Sequence, residues 1–212
     1  CIKWYMQDAA GQNAAGLRVR DGQWKPVRGD RVVVSGLRQN VPGEEGGIGP
    51  VLHFARLAPG EPPAAQTVTL GALQMDSGNA ACPDWGRYVE ISRVSVVAGS
   101  RQSGTFCYNF LVSDGTSATA WPVRVWRSLG AGEKALPPDG AEITLRGIVS
   151  RLGWFQGNCL EPVSPEDYAL PARQVKTIGE ARELPLLTPV TVTGAAVVSF
   201  VPDAGSGAFY AE

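Results

Sequence analysis

The dominant pattern along this chain is a two-residue alternation of apolar and polar positions, in short runs broken by Gly, Pro, Asp and Ser. Alternation of that period puts successive side chains on opposite faces of a strand. It predicts five strands in the middle of the chain, near residues 87–98, 104–113, 119–127, 141–151 and 153–161. In the second of these Tyr108, Phe110 and Val112 take the inward parity, and Asn109, Leu111 and Ser113 the outward one. Val123 and Val125 extend the inner surface from the third strand. Helical periodicity is confined to short stretches at Gly179–Leu184 and Gly71–Met75.

The alternating runs recur. Cys1–Asp8 aligns with Cys107–Asp114 at an offset of 106, and the same offset carries Leu17-Arg18-Val19 onto Val123-Arg124-Val125. Gly29–Gly36 aligns with Gly140–Gly147 at 111, Thr69–Gly71 with Thr177–Gly179 at 108, and Val96-Val97 with Val197-Val198 at 101. Five fragments in one order, with offsets that loop lengths absorb, predict an internal repeat. Ile2, Trp4 and Met6 then share the inward parity, against Lys3, Tyr5 and Gln7. The period is half the chain. Residues 67–165 read as one complete module, 166–175 as a linker, 176–212 as the beginning of a second module and 1–66 as its remainder.

Particular phrases carry a family resemblance. Thr177-Ile-Gly-Glu-Ala-Arg-Glu-Leu184 followed by Pro189-Val-Thr-Val-Thr-Gly194, and the phrases at residues 4–37 ending in Gly29-Asp-Arg-Val-Val-Val-Ser-Gly36, resemble OB-fold domains found in tandem in secreted bacterial proteins. The central module departs from the pattern, with Ser92-Arg93 in place of Thr-Gly and Pro122-Val123 in place of Gly-Leu. The resemblance implies an all-β protein of tandem OB-like five-stranded β-barrels, one intact and one split between the two chain ends. It also implies an extracellular or cell-surface location. It says little of function, because OB barrels carry many roles.

Composition adds limits. With 26 Gly and 16 Pro in 212 residues and only 18% charged, the chain suits short strands and turns better than long helices. A net charge of −1 lacks the basic excess usual for a dedicated nucleic-acid binder. No apolar run is long enough to span a bilayer. The run from Cys1 directly into a core-like strand also argues against a lipid anchor there. The four cysteines show no CxxC spacing and have one histidine for company, which disfavours a metal site. That leaves two readings, four buried free thiols in a cytosolic protein or, the favoured one, two disulfides in an oxidising compartment. In an OB-like barrel the loops preceding Cys107 and Cys159 share one pole, so Cys107–Cys159 is the expected bridge, leaving Cys1–Cys82.

No catalytic constellation stands out. His53 lies in an alternating run without a partner nearby in sequence, and Glu44-Glu45 and Glu166-Asp167 read as solvated loop charge. Asp8–Asn13 and Asp114-Gly-Thr116 are repeat-equivalent turns that lack a calcium loop's ligand spacing. No enzymatic activity and no cofactor are expected. The outward positions on the second and third strands, where OB barrels bind single strands, are Lys3, Tyr5, Gln7, Arg18 and Arg20 in one module. In the other they are Asn109, Leu111, Ser113, Arg124 and Trp126. One aromatic and one or two cations per face make a thin platform. The expected role is therefore an extracellular structural element, its partners copies of itself joined head to tail into a fibre or surface array. The alternative is a secreted OB-fold module binding single-stranded nucleic acid or carbohydrate.

Overall fold

A computed structural model of the chain describes residues 4–7, 16–19, 26–39, 47–73, 82–129, 136–152 and 157–168, with short strands at 173–175, 190–192, 197–199 and 210–211. Two compact units result, Cys1–Ala169 and Leu170–Glu212. The first contains β1 (Trp4–Gln7), β2 (Gly16–Val19), β3 (Arg31–Gln39), β4 (Gly47–Ala58), β5 (Gln66–Thr67) and β6 (Tyr88–Val96). It continues with β7 (Gln102–Ser103), β8 (Cys107–Ser113), β9 (Trp121–Trp126), β10 (Glu142–Leu152) and β11 (Gly157–Glu161). The second contains β12 (Arg173–Val175), β13 (Val190–Val192), β14 (Val197–Ser199) and β15 (Tyr210–Ala211).

The five strands expected in the middle of the chain are β6, β8, β9, β10 and β11, and they close into a barrel. β6 pairs with both β8 and β10, β8 with β9, and β10 with β11, all antiparallel, while β11 closes onto β9 in parallel. This is the strand order of an OB-like barrel. The alternating residues fill it. Tyr108, Phe110 and Val112 are buried, as are Trp121, Val123 and Val125 from β9, and Val89, Ile91 and Val94 from β6. The short helical stretch expected at Gly71–Met75 is a single 3-10 turn, Leu70–Ala72, whose Leu70 is also core. That at Gly179–Leu184 lies outside the described residues.

The place where Ser92-Arg93 stands instead of Thr-Gly is a bulge in β6. Ile143 faces Val94 and Leu145 faces Ile91, so Ser92 and Arg93 together oppose Thr144. Arg93 takes the left-handed conformation, φ 59°. Such bulges normally place glycine there, because a Cβ meets the carbonyl, and the aligned residue in the other copy is Gly194.

Beside the barrel, β1 to β4 form a curled four-stranded sheet in the order β1-β2-β4-β3. β1–β2 and β3–β4 are antiparallel, and β2–β4 is parallel. The barrel series β8-β9-β11-β10 has the same order and the same parallel contact. Details of the aligned motifs agree as well. Gly29 (φ 95°) and Gly140 (φ 76°) both turn the chain into the long strand that follows. A Cβ on Gly36 would come within 2.7 Å of the Pro50 carbonyl oxygen, and one on Gly147 within 3.2 Å of that of Glu161. In both sheets that glycine lets the two strands cross closely. In the second unit β12 lies parallel to β13, as β5 lies parallel to β6 in the first, and β14 and β15 are antiparallel.

Candidate functional site

The two sheets of the first unit share an order but differ in closure. In the barrel, β6 pairs with β10 on one side of the opening and with β8 on the other. Among the described residues nothing in the four-stranded sheet occupies that place, so β1 and β3 are its edges. The consequence is visible in side-chain burial. Ile143 and Leu145 of β10, facing β6, are 2% and 0% exposed. Their aligned counterparts on β3, Val32 and Val34, are only half-buried. No residue of β3 is fully buried, although four of its nine residues are valine or leucine.

Apolar exposure gathers on the same sheet. Val27, Val33, Leu37, Leu52 and Leu57 are exposed, the first just before β3 and the others on β3 or β4. On the barrel module only Phe106 joins the exposed large hydrophobic residues among those described. A long edge strand with half-exposed valines, its outer peptide groups paired with no strand among the described residues, is a template for strand addition. Completing the burial of one such side chain contributes about 1 kcal/mol, part of the ~1.5–3 kcal/mol for a whole one.

The proposed outer binding face has a different fate. Arg124 is buried, with its guanidinium 5.2 Å from the Trp126 ring and 4.0 Å from the Glu161 carboxylate. Ser150, Cys159 and Glu161 are buried too, although their parity points away from the barrel interior. The second sheet meets this face at Ser150. Tyr5 of β1 donates its hydroxyl hydrogen to Ser150 Oγ at 3.1 Å, and Gln7 Oε1 accepts from the Tyr88 amide at 2.9 Å. Parity alone named Arg124 outward and exposed, whereas it is buried; at Ser150 the neighbouring sheet forms a seam with the barrel. Tyr5, Arg18 and Trp126 are half-buried. Lys3 and Arg20 lie outside the described residues.

A buried polar group missed in the sequence holds the other end of this seam. Tyr88 donates to Asp167 Oδ1 at 2.6 Å, and Arg28 Nη2 donates to the Tyr88 oxygen at 2.8 Å with its guanidinium 4.9 Å from the ring. Asp167 Oδ2 accepts from the amides of Val163 and Ser164. Asp167 is 2% exposed, correcting the expectation of solvated charge for that residue, whereas Glu166 is exposed. The signal available was Ser164-Pro-Glu-Asp167, a capping sequence whose acidic residue folds back on the amides before it. Burial, and then the bond to Asp167, pushes the Tyr88 hydroxyl up to about 12. The acidic pair Glu44-Glu45 lies outside the described residues.

The Asp114 turn serves the barrel. Asp114 Oδ2 accepts from the Leu70 amide at 2.8 Å, and Oδ1 from the Thr116 amide and hydroxyl. Thr116 Oγ1 in turn accepts from the Gly71 amide. His53 is exposed on β4 opposite Ser35. Among the described residues no group of three His, Cys, Asp or Glu is placed to hold a metal ion. No described helix is long and apolar enough to cross a membrane.

The expected Cys107–Cys159 bridge is absent. Cys82, Cys107 and Cys159 are buried thiols, and Cys1, proposed partner of Cys82, lies outside the described residues. The strand order is the reason. β9 runs between β8 and β11, which separates Cys107 from Cys159 by two strand spacings, about 9.5 Å, beyond the ~7 Å reach of a disulfide. Cys82 Sγ accepts from Asn158 Nδ2 at 3.3 Å, and burial above all pushes its thiol up, which keeps it protonated and unreactive.

Comparisons with protein-family models, curated proteins and solved structures find no match to this chain. The geometry of the open sheet therefore carries the functional reading.

Proposed function

We propose that this chain is a structural element of an extracellular fibre or surface array, in which copies join head to tail as each completes the four-stranded sheet of the next. One observation carries the reading: Val32 and Val34 are half-exposed at the positions where Ile143 and Leu145 are buried beneath a first strand. A heterologous contact of this kind, one surface meeting a different surface of the next copy, propagates without limit unless its rotation closes a ring. A net charge of −1 lets copies approach without strong mutual repulsion. Strand addition is an established recognition mode, with backbone hydrogen bonds supplying affinity and alternate side chains specificity.

The location outside the cell rests on the family resemblance, since the three described cysteines carry no bridge. The nucleic-acid alternative loses its best cation, because Arg124 is buried beside Glu161. Electron microscopy of the purified chain tests the proposal. Linear or ring-shaped strings of barrels support it, and separate compact particles at every concentration overturn it.

A further inference from the structure

We infer that the strand completing the open sheet is β13 of a second copy, added antiparallel along β3. The inference rests on the head-to-tail reading and names its donor, acceptor and register.

β13 has the right neighbours for a first strand. In the barrel, Val89 and Glu90 of β6 pair on one edge with Gln66 and Thr67 of β5, and on the other with Gly147 and Arg146 of β10. β6 thus bridges a short parallel strand and a long antiparallel one. β13 already carries the parallel neighbour, β12, and among the described residues pairs with no other strand. Its other edge is the one that β6 gives to β10. On the acceptor, β3 repeats β10 and pairs only with β4 among the described residues.

The register follows from the repeat. Gly147, Arg146 and Leu145 face Val89, Glu90 and Ile91. The aligned residues put Gly36 opposite Val190, Ser35 opposite Thr191, and Val34 opposite Val192. Val190 and Val192 then take the parity at which Val89 and Ile91 are buried, and Val192 covers Val34 as Ile91 covers Leu145. Thr191 and Ser35 fall on the outer face, where Glu90 and Arg146 form an ion pair at 2.6 Å. Gly194 falls where Arg93 adopts the left-handed bulge. A shift of one residue would turn both valines out to solvent, so the apolar pattern selects this register.

Paired cysteines at the outer position test the inference. Ser35→Cys is made in one preparation and Thr191→Cys in another, one of them isotope-labelled, and the two are mixed under mild oxidant. Cross-linked peptides are then sequenced by mass spectrometry. The expected result is a disulfide between positions 35 and 191 that joins a labelled chain to an unlabelled one. None should form when Ser92→Cys on the barrel replaces Thr191→Cys. Assembly without the link overturns the strand assignment and leaves the head-to-tail reading standing. Ser35→Cys and Thr191→Cys are also combined in one chain, and a link found there only within single chains, in monomers, overturns both. So does the absence of link and assembly alike. As a second readout, Ser35→Arg with Thr191→Glu rebuilds the barrel's outer ion pair and preserves assembly. Ser35→Glu with Thr191→Glu raises the concentration that assembly needs several-fold, because like charges then stand directly opposite.

Discussion

Val34 on β3 and Leu145 on β10 hold the same position in two sheets of identical strand order, yet Leu145 is fully buried and Val34 only half-buried. Leu145 is covered from β6 by Ile91, the residue paired with it. Stability should divide along that line. Leu145→Ala is expected to cost roughly 2–5 kcal/mol, as emptied cores do. In dilute single chains Val34→Ala is expected to cost about 1 kcal/mol or less. Urea denaturation of the two variants makes the comparison, and equal losses would contradict it.

Alkaline pH probes the seam. The Tyr88 hydroxyl is raised from 10.0 to about 12 by burial, then by its bond to Asp167. A group whose pKa is raised on folding contributes stability that is complete below its unfolded value and lost as pH climbs through the folded one. Stability should therefore fall between pH 10 and about 12. Tyr88→Phe should flatten that part of the profile while lowering stability at neutral pH, because Asp167 loses a donor and Arg28 an acceptor. Thermal unfolding across the alkaline range is the measurement.

Acid acts on the Asp114 turn. Although burial alone would raise Asp114, the hydrogen bonds from Thr116 and the Leu70 amide hold its carboxyl below the usual value. A lowered carboxylate contributes stability above its unfolded pKa, and the contribution disappears as pH falls through the folded one. Asp114→Ala should lower neutral-pH stability by roughly 1–2 kcal/mol through the orphaned amides. It should also remove part of the acid dependence below pH 3.8. Chemical denaturation at a series of acidic pH values reads both effects.

Arg93 is the one described non-glycine residue at positive φ. Arg93→Gly should stabilise the barrel by up to about 1 kcal/mol, since the left-handed conformation costs ~1–2 kcal/mol and glycine's extra freedom returns part of it. The ion pair lost with Glu142 is exposed and contributes little. An unchanged or lower denaturation midpoint would show that Arg93 supports the bulge in a way its backbone does not reveal.

Much of the fold was legible because the core of a barrel is written in alternation. Tyr108, Phe110 and Val112 declare a strand with one buried face, and the glycines at Gly29, Gly36, Gly140 and Gly147 mark turns and close crossings in both sheets. What alternation leaves out is burial on the outer face. Arg124 reads as outward, but it is buried against the Trp126 ring and the Glu161 carboxylate. The cysteine pairing failed for a related reason. Loop positions at one pole suggest nearness, whereas the strand order inserts β9 between Cys107 and Cys159. The Arg28–Tyr88–Asp167 group joins residues far apart in the chain, and only the capping phrase around Asp167 hinted at its fate.

The central claim is that the open sheet of one copy is completed by another, and sedimentation velocity over a range of concentrations tests it most directly. The account predicts species in whole multiples of 22.4 kDa that lengthen with concentration, and their collapse to single chains when Val34→Asp places a charge on the acceptor edge. A single 22.4 kDa species at every concentration, indifferent to Val34→Asp, would contradict it.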